Sequence, residues 1–374
     1  MKIVCISSSF IPSNTANSIQ VIKAIHAMAE LGHDVTLLVP GQEDTDWDEL
    51  KERYGIRTSF PIQWIEENLR FKRYDFAYKA VRKARQMRPD LIYTWVLQAG
   101  VLALWQGIPT ILEIHDRVTG RIGPWLFKRF CASNTHHRLV IITEALRCVL
   151  ISQFNLDTTK TEMIIAPDGV DLERYHDLPS PSQARWNLGI SDTFTAGYTG
   201  HFYEGRGIEL MYELAKTLSE VQFLWVGGDA ESVSFWKNRL KDEGIENIIL
   251  TGFVDNAVLP QYQAACDVLL MPYSTKISGS GGGNTADIAS PMKMFEYMAA
   301  GRAIISSDLP VIHEVLDETM AVFCPPDDIE AWIQALSSLT TNDSMCQAFG
   351  QMVQKAVGAY SWHARVEHSL DGFL

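Results

Sequence analysis

The chain lacks the sequence features of several protein classes. No apolar run reaches the roughly 20 residues that a membrane-crossing helix needs, because the best candidate, Leu91 to Leu104, is interrupted by Gln98 and Gly100. The opening segment, Met1 to Phe10, is too short for the apolar core of a signal peptide. We therefore expect a protein that neither spans a membrane nor is exported by a simple signal.

Cysteine is sparse and shows no pattern. The six cysteines are scattered over 374 residues without a Cys-x-x-Cys pair, so neither a disulfide framework nor a zinc site is indicated. We expect reduced thiols in the core of a cytoplasmic protein. No Asp-x-Asp metal motif stands in a suitable place, so the sequence predicts no metal and no other cofactor.

A basic surplus, which is typical of nucleic-acid-binding proteins, is also missing. The formal net charge is -13, with +2 in residues 1–170 and -15 in residues 171–374. We therefore expect no nucleic-acid partner. The first predicted strand is followed by Ser7-Ser8-Ser9 and not by a Gly-x-Gly-x-x-Gly loop, which argues against an NAD-dependent dehydrogenase.

Short apolar runs alternate with segments of helical periodicity along nearly the whole chain. This alternation predicts α/β domains built on parallel sheets, and two such domains joined near residues 167–173 fit best. Ligands of such sheets bind beyond the carboxyl ends of the strands, and we expect the active site in a cleft between the domains. The predicted strands are 2–7, 35–39, 91–94, 110–114, 139–143, 164–166, 195–198, 222–226, 248–250, 268–271 and 303–306.

A glycine-rich loop, Gly200 to Gly207, lies between a predicted strand and a helix. Its glycines allow a ligand to approach the backbone closely, and Arg206 stands where the free amides of a helix N-terminus favour an anion. The loop is therefore a candidate diphosphate site. The alternative is a tight turn that carries a solvated arginine.

A second block runs from Ser290 to Gly301. Pro291 suits the first turn of a helix, and Lys293 and Glu296 share one face of that helix. A lysine in the first turn opposes the helix dipole unless it faces an anion, and the carboxylate could bind a ribose diol. The alternative is an ordinary surface ion pair. The preceding Gly/Ser-rich segment, 278–284, could close over a substrate.

Two loops in the first half are weaker candidates. Glu113-Ile114-His115-Asp116 stands at the end of a predicted strand, although a lone histidine is usually structural. The loop from Pro12 to Ser18 is polar and leads into a helix, so its side chains either cap that helix or contact a ligand, and capping is favoured.

Taken in order, these segments resemble the family 4 glycosyltransferases of the GT-B fold, over nearly the whole chain. The matching motifs are Leu31-Gly32-His33-Asp34-Val35, His115-Asp116, Pro167-Asp168-Gly169-Val170-Asp171, Val226-Gly227-Gly228, Thr251-Gly252-Phe253-Val254, Met271-Pro272, the block from Pro291 to Gly301, and Ser361-Trp362.

The resemblance implies an α/β, GT-B architecture of two Rossmann-like domains facing across a cleft. Residues 1–168 would bind the acceptor, residues 172–355 the nucleotide sugar, and residues 356–374 would form a helix that packs back on the first domain. It also implies metal-independent transfer of a hexose with retention of configuration. UDP is the broad expectation for the donor and GDP the second. The acceptor is a sugar or a lipid-linked or surface-glycan precursor.

Roles of single residues follow from the resemblance. Arg206 and Lys293 would hold the donor diphosphate, Glu296 the ribose, and His115 would lie near the transferred sugar. Stabilisation of the leaving diphosphate by these cations would carry catalysis. The remaining donor-binding positions are Gly200, His201, Gly205, Gly207, Gly227, Phe253, Val254, Asp287, Ile288, Ala289 and Ser290. Those of the acceptor or sugar loop are Asn14, Ala16, Asn17, Ser18 and Asp116.

The chain departs from the family pattern at three places. Ile288 stands where a glutamate is frequent, Ala16-Asn17 where Gly-Gly is frequent, and His201 where arginine is frequent. The first two departures motivate one alternative, a non-catalytic GT-B partner subunit. A second alternative, a nucleotide-sugar epimerase, would need an acid and a base around the sugar carbon, and no clear pair is visible.

Two basic segments predict contact with an anionic membrane surface, which would make the protein peripheral on the cytoplasmic face. Segment 124–130 mixes aromatic residues with Lys128 and Arg129, and segment 69–88 has one acid, Asp75. The alternative is a solvated helix over a buried aromatic cluster. Segment 69–88 carries Arg70, Lys72, Arg73, Lys79, Arg82, Lys83, Arg85 and Arg88, interleaved with Phe71, Phe76, Tyr78 and Val81.

Overall fold

The computed structural model describes residues 1–42, 45–71, 73–277 and 284–373. The chain forms two compact units. The first unit comprises Met1–Asp168 together with Trp362–Leu374, and the second comprises Gly169–Ser361. Each unit is built around its own parallel sheet.

Strands and helices alternate in both units, as parallel pairing requires. The strands are β1 Lys2–Ile6, β2 Asp34–Pro40, β3 Ile62–Ile65, β4 Leu91–Thr94, β5 Thr110–Ile114, β6 His137–Ile141, β7 Glu162–Ile165, β8 Thr195–Thr199, β9 Gln222–Val226, β10 Ile248–Gly252, β11 Val268–Met271, β12 Ala303–Ser307 and β13 Val322–Cys324. The helices are α1 Ala16–Glu30, α2 Trp47–Tyr54, α3 Arg73–Gln86, α4 Leu97–Trp105, α5 Gly123–Cys131, α6 Glu144–Phe154, α7 Pro181–Leu188, α8 Ile208–Thr217, α9 Ala230–Glu243, α10 Leu259–Ala264, α11 Met292–Ala300, α12 Ile329–Thr340, α13 Asp343–Ala356 and α14 Trp362–Leu370.

Both sheets reverse their strand order once. In the described residues of the first unit the order is β3-β2-β1-β4-β5-β6-β7, and in those of the second it is β10-β9-β8-β11-β12-β13. The register of the central pairs aligns Val4 with Ile92 and Ala196 with Val268. Loops that leave the sheet on either side of such a reversal diverge and form a crevice, which is where open α/β sheets bind ligands.

Each unit has its own apolar core. In the first unit, the buried face of α3 packs on β1 and β4 through residues such as Phe76 and Val81. In the second, Trp225 and Trp332 are fully buried beside α8 and α9. The central strands are buried along their whole length, which explains why they are recognisable as apolar runs.

The last helix belongs to the first unit. α14 packs on α1, and the Arg138 side chain donates from Nη1 to the Ser369 carbonyl oxygen at 2.8 Å. The Arg138 guanidinium also lies 5.1 Å from the centroid of the Phe373 ring. The short 3-10 helix Val357–Tyr360 that precedes α14 belongs to the second unit.

Some expectations from the sequence need correction. Pro291 is the N-cap of α11 and not its first helical residue. Cys148 is exposed, so not every thiol is in a core. Over the described residues, no helix has both the length and the apolar character that crossing a bilayer requires.

Candidate functional site

The glycine-rich loop lies at the strand-order reversal of the second unit. It leaves the carboxyl end of β8, and the loop that starts with Pro272 and Tyr273 leaves the carboxyl end of the neighbouring β11. The two loops meet, because the Ser274 amide donates to the Gly205 carbonyl oxygen at 3.0 Å. The predicted diphosphate loop therefore occupies the usual ligand position of this sheet type.

Glycine is required where the loops pass one another. Gly227 has φ +126°, and a Cβ at that position would overlap the Gly200 carbonyl oxygen. Gly207 has φ +75°, and a Cβ there would overlap the Pro272 carbonyl oxygen. The Gly228 amide donates to the Gly200 carbonyl oxygen at 3.2 Å. These contacts bring bare backbone to the edge of the site, where larger residues would not fit.

Lys293 lies in the first turn of α11 with its ammonium group enclosed by aromatic rings. Nζ is 3.7 Å from the centroid of the Tyr198 ring and 5.6 Å from that of Tyr273. Nζ is inaccessible to solvent and has no hydrogen-bond partner among the described residues. Burial and the charge of Arg206 hold the pKa of Lys293 well below its usual value, although Glu296 opposes them. A buried amine without a hydrogen-bond partner, whose charged form a bound anion would stabilise, is a candidate anion site.

Arg206 supplies a second cation at the same place. It is half-buried, directly precedes Gly207, the N-cap of α8, and lies 5.3 Å from the centroid of the Tyr273 ring. Within the described part of the chain, Arg206 forms no salt bridge. The Tyr273 ring is thus a neighbour of both basic groups, and the free amides at the start of α8 add a further partial positive charge.

Glu296 is held by amide side chains and not by Lys293. The alternative interpretation, a surface ion pair between these two residues, is therefore wrong. Its carboxylate accepts from Asn256 Nδ2 at 3.4 Å and from Gln263 Nε2 at 3.3 Å. Arg174 in turn donates to the Asn256 side chain at 2.7 Å, and Tyr175 donates to Gln263 Oε1 at 2.9 Å. The carboxylate is thus fixed in orientation and half-exposed, as a hydrogen-bond acceptor for a diol would be.

The remaining predicted donor residues differ in accessibility. Phe253 and Asp287 are exposed, and Val254 and Ala289 are half-buried. The His201 ring stacks on Tyr203 with centroids 4.8 Å apart. Ile288 and Ser290 are buried, so the Ile288 side chain fills core space and is not presented at the surface. Residues 278–283 of the predicted closing segment lie outside the described residues.

In the first unit, Glu113 is the centre of a buried polar cluster that includes His115. Glu113 Oε1 accepts from Gln20 Nε2 at 2.6 Å, from His115 Nε2 at 2.5 Å and from Arg365 Nη2 at 2.7 Å. Glu113 Oε2 accepts from the Tyr93 hydroxyl and from Arg365 Nη1. Burial alone would raise the pKa of Glu113, but the charge of Arg365 and the His115 hydrogen bond outweigh it, and the pKa is lowered.

The cluster also includes Asp168. Burial raises the pKa of Asp168, and the nearby His115 and Arg365 offset only part of that rise. Gln20, Tyr93, Glu113 and Arg365 were not recognised as site residues in the sequence. Glu113 was visible only as a neighbour of His115, and the other three have no motif.

The loop from Pro12 to Ser18 caps α1. The Thr15 side chain accepts from the Ser18 amide, and the Ser18 hydroxyl donates to the Ser13 carbonyl oxygen at 2.7 Å. Asn14 accepts from Arg53 at 2.7 Å. Capping is therefore the better interpretation for Thr15 and for Ser18, which is buried. Ala16 and Asn17 are exposed, and Asp116 is half-buried with its carboxylate on the Arg117 amide.

The basic segments of the first unit present fewer apolar residues than the sequence indicates. Phe76, Val81, Phe127 and Phe130 are buried in the core. The exposed aromatic residues of the two segments are Phe71, Tyr74, Tyr78 and Trp125, and Trp105 on the neighbouring helix α4 is also exposed. Trp105 and Trp125 pack edge to face at 6.4 Å, and Arg129 lies over Trp125 at 5.4 Å. Lys72 lies outside the described residues.

Across the described ranges, no group of three or more His, Cys, Asp and Glu side chains is arranged to hold a metal ion.

Comparison with known families identifies both halves of the chain. Residues 19–174 match the sequence model described as Glycosyltransferase Family 4, and residues 193–342 match that described as Glycosyl transferases group 1. Together the two matches cover most of the chain. The chain belongs to the family 4 glycosyltransferases, as the motifs predict.

Individual relatives are distant. The chain is 22% identical over 376 residues to a phosphatidyl-myo-inositol mannosyltransferase of Mycolicibacterium smegmatis, covering 96% of this chain and 89% of that protein. It is 22% identical to 2-deoxystreptamine glucosyltransferase of Streptomyces kanamyceticus, over 60% of this chain and 64% of that protein. Two further curated relatives are matched over only 26% and 46% of their lengths.

The crystal structure of Anabaena Alr3699/HepE in complex with UDP-glucose has the same fold. Its TM-score is 0.74 at 16% identity, with 99% of this chain and 98% of that chain covered. The predicted GT-B fold is thereby confirmed.

Proposed function

We propose that this protein transfers a hexose from a nucleotide sugar to an acceptor. The observation that carries the proposal is the enclosed, unpartnered Nζ of Lys293 beside Arg206. Two basic side chains next to two glycine-rich turns match the charge of a nucleoside diphosphate. Glu296 is the acceptor for the ribose hydroxyls.

UDP is the proposed nucleotide of the donor, with GDP as the second candidate. Support comes from the fold neighbour HepE, which has been solved with UDP-glucose. Phe253 and Val254 would flank the base, since Phe253 presents an exposed ring directly after β10.

The proposed chemistry is electrostatic and needs no metal. Arg206, Lys293 and the N-terminus of α8 stabilise the negative charge that develops on the leaving diphosphate. The leaving phosphate takes the proton of the acceptor hydroxyl, and the configuration of the sugar is retained. His115 is assigned to the transferred sugar, and the first unit to the acceptor.

A lipid-linked acceptor is proposed for this reaction. The mannosyltransferase relative is named for a phosphatidyl-myo-inositol acceptor. The aromatic residues Tyr78 and Trp125 are exposed on helices that also carry lysines and arginines. Such a surface suits an anionic lipid headgroup region, where each basic residue contributes about 1 kcal/mol.

Vesicle flotation tests the membrane part. Wild-type protein should float with anionic phosphatidylglycerol vesicles and not with neutral phosphatidylcholine vesicles, and the double variant Tyr78→Ser/Trp125→Ser should lose binding. Phe235→Ser is the matched control, because Phe235 is equally exposed but lies in the second unit. Equal flotation with both lipids, or none with either, rejects a membrane-bound acceptor but leaves the donor site in place.

Product analysis tests the reaction itself. Labelled UDP-, GDP- and ADP-hexoses are incubated with EDTA, with and without a membrane-lipid extract. Transfer predicts a labelled lipid product and released nucleoside diphosphate only when the extract is present. A changed sugar without an acceptor would identify an epimerase. Donor binding without any turnover would favour the non-catalytic subunit.

A further inference from the structure

The C-terminal helix is connected to His115 through one buried carboxylate. Arg365, on α14, donates both Nη groups to Glu113, and Glu113 Oε1 accepts from His115 Nε2. The Glu113 side chain is fully buried and the Arg365 side chain nearly so. Arg365 Nε also donates to the Pro167 carbonyl oxygen at 2.7 Å. The guanidinium is thus held by the backbone on one side and holds the carboxylate on the other.

The state of Glu113 determines which imidazole nitrogen carries hydrogen. A carboxylate that receives five hydrogen bonds and lies beside a guanidinium is ionised, in agreement with its lowered pKa, and an ionised carboxylate only accepts. His115 Nε2 therefore donates to Glu113, and the Gln20 amide, 3.1 Å from the same nitrogen, also donates to that carboxylate. No described residue makes a hydrogen bond to Nδ1, and 24% of the His115 side chain is exposed. Nδ1 is the nitrogen left for a substrate.

We infer that Arg365 is a positioning residue for His115: through Glu113 it fixes the Nε2–H tautomer and the ring orientation, so that Nδ1 faces the substrate. The inference rests on the proposed function only in that His115 acts on the transferred sugar. Through Arg365, α14 would have a role in catalysis without contacting the substrate.

A purely structural role is the competing explanation. Arg138 provides the matched case, since it also anchors α14, through the Ser369 carbonyl oxygen, but does not contact Glu113. If anchoring of the helix were all that mattered, Arg138→Lys and Arg365→Lys would behave alike.

The first test is spectroscopic and needs no activity. Protein labelled with ¹⁵N in histidine is measured above the titration of the ring, and the His115 signals are assigned by their loss in His115→Gln. We expect the Nε2–H tautomer in wild type and in Arg138→Lys, and a mixture of tautomers in Arg365→Lys. An Nδ1–H tautomer in wild type, or an unchanged tautomer in Arg365→Lys, overturns the inference. An Nδ1–H tautomer in wild type would overturn it even if a variant does not fold.

The second test is a double-mutant cycle on turnover. His115→Gln should lower kcat on the order of 10²-fold, and Arg365→Lys on the order of tenfold, with the KM for the donor unchanged in both. In the His115→Gln background, Arg365→Lys should have no further effect on kcat, because Arg365 would act through the His115 imidazole, which this background lacks. Effects that multiply would show that Arg365 acts independently of His115. Absence of turnover in wild type would reject the proposed function, and the tautomer would still test the inference.

Discussion

Lys293 Nζ lies over the face of the Tyr198 ring, 3.7 Å from its centroid, and no described residue gives this ammonium a hydrogen bond. The ring stabilises a cation only in part, and burial lowers the lysine pKa. The unfolded chain therefore holds this proton more tightly than the folded protein. Between the lowered and the ordinary pKa, the contribution of Lys293 to stability increases as pH rises. A bound diphosphate would reverse the shift.

Binding of a nucleoside diphosphate should accordingly be linked to proton uptake. Above the lowered pKa, Lys293 is neutral in the free protein and charged in the complex, so affinity should fall as pH rises. Calorimetric titrations over a range of pH, each in two buffers of different ionisation enthalpy, measure the protons taken up. Lys293→Met is the control and should bind weakly without linked uptake. Proton uptake that is the same in wild type and variant would assign it to another group.

Arg206 should act mainly on the chemical step. Arg206→Ala should lower kcat by about 10²- to 10³-fold, the range for loss of a group that stabilises developing charge. Steady-state transfer kinetics measure the effect. Arg239→Ala is the control, because Arg239 is a partly exposed cation of the same unit that pairs with Glu209 and Glu243, and kcat should not change. Normal turnover of Arg206→Ala would contradict the proposed role.

Glu296 should bind the hydroxyl groups of the ribose. Wild-type protein should bind a nucleoside diphosphate about 10- to 100-fold more tightly than its 2′,3′-dideoxy analogue, the range for hydrogen bonds to a charged group. In Glu296→Ala this preference should disappear. Gln263→Leu, which leaves the carboxylate but removes one of its donors, should retain part of the preference. An unchanged preference in Glu296→Ala would place the ribose elsewhere.

Gly227 should be intolerant of any side chain. Gly227→Ala introduces a clash with the Gly200 carbonyl oxygen at φ +126°, and the strain should cost about 1–3 kcal/mol or more. Gly244→Ala is matched, since Gly244 has φ +68° at a helix end but nothing within 4 Å of an added Cβ. It should cost about 1–2 kcal/mol. Thermal unfolding and nucleotide binding compare the two variants, and only Gly227→Ala should impair binding.

The central strands are predictable from the sequence, and the edges are not. β4, β5, β9 and β11 were predicted to the residue, because parallel strands that are buried on both faces are short apolar runs. β3 and β13 were not predicted, since they lie at the edges of the sheets and are only four and three residues long. The start of β6 at His137 was predicted two residues late, because Arg138 is polar. Its hydrogen bond to α14 forms only in the folded chain and has no signal in the sequence.

The candidate site divides in the same way. Arg206, Lys293 and Glu296 were identified because they stand beside glycines and a proline at recognisable spacings. Tyr273 and Gln263 follow only from packing, since each reaches its neighbours across the sheet or from another helix. The partners of Glu113 are at positions 20, 93, 115 and 365, and no local pattern in the sequence connects them.

The donor site is the central claim, and a thermal-shift panel tests it most directly. UDP-, GDP- and ADP-sugars and the free nucleotides are added in EDTA, and unfolding is followed. A ligand present at 100 times its Kd adds about 2.7 kcal/mol of stability, which is readily measured. The account predicts a shift with one nucleotide family, lost in Lys293→Ala. No shift with any nucleotide, or a shift that Lys293→Ala retains, would contradict it.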